Sequence, residues 1–420
     1  MNVTGLFEKK SVKIIAGIML AFFLLYRVVL FYFNAFHGFA WDYSINWTAA
    51  LGLQKGLSLY DQVALQQLAV ANIDGAAQAR LLFNGRFTSF VGLPTTAILH
   101  LPFTLLRYES SVIFYRLLSL LAIVSAIFLV GLSLPVSSRK RAWWVGVFCL
   151  LSWHAFPFSL SLGQVDAWVI LSFALAIFAV SHEWWKSAGI AIGVAVLLKI
   201  SPAWLLLYCL LKRQWVVLFA ATGCIIFGLM VALLPLNGLD LVKFFTEILP
   251  SLGDSPRHVQ NQALGAFLAR LATTDTNLLS FAVGTGAWKI AGIAVAAILL
   301  LVLYRKKDKS ALGVEDLGAV ILLALLAGPL TWDHYLSWAI IPVMLLSTRL
   351  SITGLMLLVI ALLPLTFPVP YLKPDIIAAH SAWRVLTGLQ IMTIVVLITW
   401  QIKQIKQIKQ IKQIKQIKER

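Results

Sequence analysis

Residues 14–47 read IIAGIMLAFFLLYRVVLFYFNAFHGFAWDYSINW. From Ile14 to Asn34 the run is apolar, with Arg27 as its single charge. About 20 such residues cross a bilayer as a helix. The run then opens into Gly38-Phe39-Ala40-Trp41-Asp42-Tyr43-Ser44-Ile45-Asn46-Trp47, where one carboxylate stands among aromatic rings. Glu8, Lys9, Lys10 and Lys13 flank the other end. The positive flank places the N-terminus in the cytoplasm and Asp42 on the outer side. The run is too long for a cleaved signal segment and reads as an uncleaved anchor. Arg27 is within snorkelling reach of an interface.

The rest of the chain repeats this alternation. Of 420 residues, 60% are hydrophobic and 12% charged. A soluble interior has no room for that much apolar surface. The chain therefore reads as an all-α polytopic membrane protein with about twelve membrane segments and both termini inside. A net charge of +17 would suggest nucleic acid in a soluble protein. Here Arg139-Lys140-Arg141, Lys212-Arg213 and Arg305-Lys306-Lys307 mark cytoplasmic loops that meet anionic lipid, so no nucleic-acid partner is expected. Cys149, Cys209 and Cys224 fall in apolar runs and form neither a disulfide framework nor a metal-ligand set.

The first external loop spans residues 37–108. The pattern predicts a helix from Tyr43 to Lys55 with Asp42 as N-cap, a break at Gly56, and a polar helix from Asp61 to Ala71. Phe87 to Leu106 is apolar but carries Pro94, His100 and Pro102. Counting it as a span would put Arg139-Lys140-Arg141 outside, so it reads as interfacial or re-entrant. Spans follow over Ser111–Pro135, Trp143–Leu160, Trp168–Ser181, Ser187–Lys199, Pro202–Leu211 and Trp215–Leu236, then a second external loop at 237–277. The shortness of two of these leaves Lys199 below the outer surface in a protein-lined recess. Gly189 and Gly193 make a small-xxx-small packing pattern. Residues 1–400 form one membrane domain. The tail, 401–420, begins with six Gln-Ile-Lys triplets. A period of three does not hold one face of a 3.6-residue helix, so the tail reads as a low-complexity basic cytoplasmic extension on anionic lipid.

The polar groups of interest gather on the outer side: Asp42, Gln164, Asp166, Lys199, Arg257, His258, Asn261, Gln262, Asp333 and His334. No phosphate-binding glycine loop, His-Glu-x-x-His or Gly-x-Ser-x-Gly motif is present. A site facing outward has no cytoplasmic nucleotides, so an activated donor there arrives on a lipid. Plainer readings stand beside each residue. Asp42 could serve only as an N-cap, although Ile45 removes the capping box. Lys199 could snorkel or pair with Asp166, itself then a structural partner; Asp333 could cap a helix or pair with Lys199, and His334 could only hydrogen-bond a carbonyl. Arg257 and His258 could be surface groups, and Trp41, Tyr43 and Trp47 belt residues. Asn46-Trp47-Thr48 matches a glycosylation sequon.

Five stretches in order carry a resemblance: Asp42 with Trp47-Thr48-Ala49-Ala50 and Gly56-Leu57-Ser58-Leu59-Tyr60-Asp61; Leu162-Gly163-Gln164 with Asp166 where Asn is more usual; Ala188-Gly189 through Gly193 to Leu198-Lys199-Ile200-Ser201-Pro202; Asn261-Gln262-Ala263-Leu264-Gly265 with Arg270; and Trp332-Asp333-His334-Tyr335. Together they resemble the C-type fold of integral-membrane glycosyltransferases, and specifically glycosyltransferase family 87, which contains polyprenyl-phosphate-mannose-dependent mannosyltransferases. The resemblance implies interfacial helices in the first external loop and an inverting transfer of a hexose, most simply mannose, from a polyprenyl phosphate. The acceptor would be a glycolipid or envelope polysaccharide outside the cytoplasmic membrane of a bacterium. It casts Asp42 as the general base and Lys199, with His334, as the phosphate contacts. Trp41, Tyr43, Trp47, Gln164, Asp166, His258, Asn261, Gln262 and Asp333 become candidate substrate contacts, with no metal and no cofactor. The rival reading is a transporter or flippase of a lipid-linked sugar. That would place polar groups at the midplane between internal repeats, whereas here they collect at one face without a repeat.

Overall fold

The structure, a computed structural model, describes residues 10–73, 82–83, 86–87, 90–234, 238–252, 258–273, 286–304, 312–328, 330–367 and 381–418. Arg257 and Arg305-Lys306-Lys307 lie outside the described residues. Apart from a two-residue hairpin, Leu82–Phe83 against Arg86–Phe87, the described regular structure is helical.

A long helix and three short ones come first in the chain. Helix α1 (Lys10–Phe36) has 27 residues, about 40 Å at 1.5 Å per residue. Three short helices follow: α2 (Trp41–Gln54), α3 (Gln62–Asn72) and α4 (Pro94–His100), the last continued by a 3-10 turn at Leu101–Leu105. Gly56 takes φ +70° between α2 and α3, a conformation that favours glycine. Asp61, not Asp42, is the N-cap here. Its carboxylate accepts from the Val63 and Ala64 amides. The cap position of α2 is Ala40, with no side-chain cap bond. The N-cap expectation for Asp42 is therefore corrected: the residue sits inside the first turn and its carboxylate makes no cap. The apolar run from Phe87 to Leu106, expected to be interfacial or re-entrant, forms the two short turns of α4 and its continuation rather than a span.

The bundle then builds from α5 (Tyr108–Leu132), α6 (Val136–Ser152), α7 (Ala155–Leu162), α8 (Asp166–Ser181), α9 (Trp185–Leu198), α10 (Ala203–Leu211) and α11 (Trp215–Leu233). The segment expected to be the second external loop carries α12 (Leu239–Lys243), a π turn at Phe244–Ile248, α13 (Leu249–Leu252) and α14 (Leu264–Ala272). The remaining helices are α15 (Gly286–Tyr304), α16 (Val314–Ala327), α17 (Ile340–Ser347), α18 (Ile352–Leu362) and α19 (Leu389–Lys418). Among the described residues three helices are long and apolar enough to cross a bilayer unaided: Tyr108–Leu132, Trp215–Leu233 and Arg384–Ile405. A fourth span is available if α6 and α7, bent by 62°, count as one. The expected count of about twelve full segments is not matched helix for helix, since α8, α9 and the 290–304 and 352–366 stretches are shorter. The outward faces are nevertheless lipid-like. On α11, Phe219, Ile226, Phe227 and Met230 are all exposed, an apolar surface that water would not tolerate.

Two packing devices hold the site. Gly189 and Gly193 let α9 press against α11, where a Cβ would meet the Val217 and Ala221 carbonyls. Arg116, buried in α5, donates to the carbonyls of Phe36 (2.9 Å), Gly38 (2.5 Å), Leu160 (3.0 Å) and Ser161 (2.5 Å). One guanidinium thus ties the end of α1 and the turn before Asp42 to the end of α7.

The tail also departs from expectation. The Gln-Ile-Lys repeat continues α19 without a break. Ile402 and Ile405 are buried, and the Gln401 and Gln404 amides donate to the Glu315 and Leu346 carbonyls. Residue 400 is not a structural boundary.

Candidate active site

A cavity of about 510 Å³ is lined by residues of α2, the stretch after α9 and the 328–335 segment, a size suited to a sugar phosphate. One wall is α2, which presents Asp42, Ile45 and Asn46. This i, i+3, i+4 spacing is a single helical face. The stretch after α9 also lines the cavity, with Lys199 and Ser201, continued by Trp204 and Leu207 of α10. Gln164, Trp332 and Tyr335 add polar groups to the lining, and Phe244, Leu249 and Leu252 from the 238–252 segment add apolar ones.

Asp42 is half-buried. Burial raises its carboxyl pKa, opposed in order by His334, a hydrogen bond from Gln164, and Lys199, while Asp166 adds to the rise. Such a carboxylate is a stronger base than an exposed one and still has a donor to orient it. Gln164 gets there because α7 ends at Gly163, φ +69°. The Gly163 amide donates to Leu160 and the Gln164 amide to Ser159, a helix stop that needs the left-handed residue.

Asp166 is the hub of the polar cluster. Its Oδ1 accepts from Lys199 Nζ at 2.7 Å and Trp338 Nε1 at 2.9 Å. Its Oδ2 meets His334 Nδ1 at 2.6 Å and accepts from the Ser159 hydroxyl at 3.3 Å. Four neighbours occupy a side chain that is 0% exposed, which leaves no lone pair for a substrate. Lys199 itself is 11% exposed. The chain turns extended there, φ −150° and ψ 141°, as the C-cap of α9. Its ammonium sits 3.4 Å above the centroid of the Tyr335 ring. The Asp166 carboxylate at 2.7 Å and the face of the Tyr335 ring hold the ammonium at the cavity lining. His334 reaches the cluster from behind, through Asp166, rather than lining the cavity.

The other expected contacts are placed differently. Tyr43 is fully buried among His100, Phe103, Tyr108 and Tyr115. Trp47 is buried too, its indole donating to the Phe103 carbonyl. Neither reaches the cavity, so their expected sugar-stacking role gives way to core packing; Trp41 is partly exposed against Phe39. Asn261 Oδ1 accepts from the Ala263 and Thr331 amides. Gln262 is buried and its amide donates to the Val259 carbonyl. His258 packs edge-on to Trp332; burial, and then Arg270, lowers its pKa to about 4. Arg270 donates to the His258 and Asn261 carbonyls. This segment therefore braces the loop that carries Trp332 and Tyr335. Asp333 is buried with neither oxygen hydrogen-bonded to a described residue, and burial raises its pKa well above the carboxylate range. Among the described residues no three His, Cys, Asp or Glu side chains converge as a metal-ligand set.

Sequence reasoning missed Arg116, Trp338, Ser159, Asn46 and Trp204. Arg116 left a signal, a lone charge within a long apolar run. Trp338 and Ser159 left none, since nothing local to either marks Asp166 as its partner.

Residues 90–329 match the model of Glycosyltransferase family 87. A polyprenol-phosphate-mannose-dependent alpha-(1-2)-phosphatidylinositol pentamannoside mannosyltransferase of Mycolicibacterium smegmatis is 28% identical over 192 residues, 44% of this chain and 42% of that protein. A polyprenol-phosphate-mannose-dependent alpha-(1-2)-phosphatidylinositol mannoside mannosyltransferase of Mycobacterium tuberculosis is 24% identical over 322 residues, 70% of this chain and 72% of that protein. The first match thus spans under half the length of its relative. No solved structure matches.

Proposed function

The chain belongs to glycosyltransferase family 87, and from that premise we propose that it transfers a hexose, mannose in the first instance, from a polyprenyl phosphate to a glycolipid or envelope polysaccharide. The observation that carries this reading is the cavity itself, lined by both Asp42 and Lys199. Asp42 takes the proton from an acceptor hydroxyl. The freed oxygen attacks the anomeric carbon as the bond to the phosphate oxygen breaks, and the configuration inverts. Polyprenyl phosphate departs, and its charge is met by Lys199, which Asp166 and Tyr335 hold in place. His334 acts with Lys199 as part of the same charged cluster. The apolar part of the cavity lining suits the first units of the lipid. The orientation rests on the basic flanks: cavity outward, termini inward, in the cytoplasmic membrane of a bacterium. The relatives' names point to mannose and to inositol glycolipids.

The test is turnover of polyprenyl-phosphate mannose, with glucose and arabinose counterparts, by protein in lipid nanodiscs with a crude glycolipid extract. Asp42→Asn should lower kcat by at least about a hundredfold, the usual size of a general-base contribution, while donor binding stays near normal. Full activity in that variant would remove Asp42 from the chemistry. Release of polyprenyl phosphate from none of the donors, with lipid-linked sugar crossing the bilayer instead, would favour a flippase.

A further inference from the structure

Among the polar side chains that line the cavity, Asn46, Thr96 and Ser201 are not used by the catalytic scheme, and of these Asn46 stands beside the base. Asn46 lies one turn after Asp42 on the same face of α2, and both line the cavity together with Ile45. Side chains four apart on a helix stand about 6 Å from each other. Asn46 is part-exposed, and no hydrogen bond from its carboxamide to another described residue is present, whereas Asp42 has Gln164 and Lys199 has Asp166. The sequon in which it falls is not available for glycosylation, because Trp47 and Thr48 are buried in the helix at 4% and 0% exposure.

We infer that Asn46 is a specificity-determining residue that hydrogen-bonds a second hydroxyl of the acceptor, one or two carbons from the hydroxyl Asp42 deprotonates. The inference rests on the reading of Asp42 as the base. The donor's phosphate is drawn to Lys199, which follows α9, and this leaves the α2 side chains to the acceptor. Side chains one helical turn apart, about 5–6 Å between Cβ atoms, can converge on two nearby hydroxyls of one sugar ring. A carboxamide can both donate and accept, so it reads a hydroxyl in either sense. The acceptor is then a sugar with adjacent free hydroxyls rather than a simple alcohol, and Ile45 between the two polar groups packs against the ring's apolar edge.

The probe is octyl α-mannoside with its monodeoxy analogues, offered with polyprenyl-phosphate mannose in nanodiscs. Wild-type protein should lose roughly tenfold in kcat/KM, the worth of one neutral hydrogen bond, with one deoxy analogue. Asn46→Ala should lose a similar factor with the full acceptor, through KM, and lose nothing more with that analogue. The donor KM should be unchanged in Asn46→Ala. Equal rates with every deoxy analogue would overturn the inference without reference to any variant. A rise confined to the donor KM would reassign Asn46 to the transferred sugar and overturn it as well. Absence of transfer by wild type, with octyl mannoside shown by saturation-transfer NMR to bind and with that binding weakened in Asn46→Ala, would count against the transferase reading and leave Asn46 as a sugar contact. Absence of that binding would count against Asn46.

Discussion

Asp42 and Asp166 are two carboxylates in one cluster with opposite fates. Asp166 is surrounded by Lys199, His334, Trp338 and Ser159, and its charge is consumed by structure. Asp42 has the Gln164 amide and an open cavity, and burial lifts its pKa. A base works only when ionised, so kcat/KM should fall as pH drops through this raised pKa, which lies above the ordinary carboxylate value of about 4. Gln164 stabilises the ionised form. Gln164→Leu should therefore move the acid limb to higher pH while the plateau rate changes less. A pH–rate profile of both proteins checks this, and an acid limb that stays in place in Gln164→Leu would disconnect the amide from the base. That Asp42 stands apart was legible in the sequence, because a carboxylate just beyond a span and amid aromatics is rare. That Asp166 is a hub was not, since its four partners come from α7, the turn after α9 and the 333–339 stretch.

Short turns decide where these side chains point. The α7–α8 corner depends on Gly163 at φ +69°, directly against Tyr43, where a Cβ would collide with the Tyr43 Cβ. Gly163→Ala should cost roughly 1–2 kcal/mol for the left-handed backbone and about 1–3 kcal/mol more for overpacking. Because Tyr43 is next to Asp42 and Gln164 is next to Gly163, the strain falls on the base and its donor together. The variant should show both a lower Tm and a lower kcat, read by thermal melting and by donor turnover. A lower Tm with unchanged kcat would mean that the corner braces the fold without setting the base. Helix starts and stops of this kind were readable where punctuation was strong: Gly56, Asp61 and Pro202 all act as the sequence suggests. The cap of α2 was misread because Ala40 has no side-chain acceptor, and nothing local announces that a helix begins one residue before its carboxylate. Asn261 and Gln262 formed a visible motif, but its use as a brace depends on Thr331 and Arg270, contacts that no local pattern encodes.

Across the whole molecule, composition alone gives a helical chain with lipid-facing surfaces, and the exposed phenylalanines of α11 agree. Segment counting does less well, because helices packed around a polar recess need not be long enough to span on their own. The C-terminal repeat exposes the same limit. Each Gln-Ile-Lys triplet falls about 60° short of whole turns, so no single face survives over the full repeat. Over the first two triplets the drift is small enough for one face to stay on the bundle, and there Ile402 and Ile405 are buried while Gln401 and Gln404 reach backbone carbonyls. A chain ending after Gln404-Ile405-Lys406 should melt like the full protein and keep its turnover. A chain ending at Trp400 loses two buried isoleucines, at about 1.5–3 kcal/mol each, and two hydrogen bonds at about 1 kcal/mol each. Its Tm should drop clearly, with α16 and α17 loosened where the repeat had packed on them. If the repeat only rests on lipid, the two truncations should melt alike, and equal Tm values in the same nanodiscs would show that the helix is held by the membrane and not by the bundle.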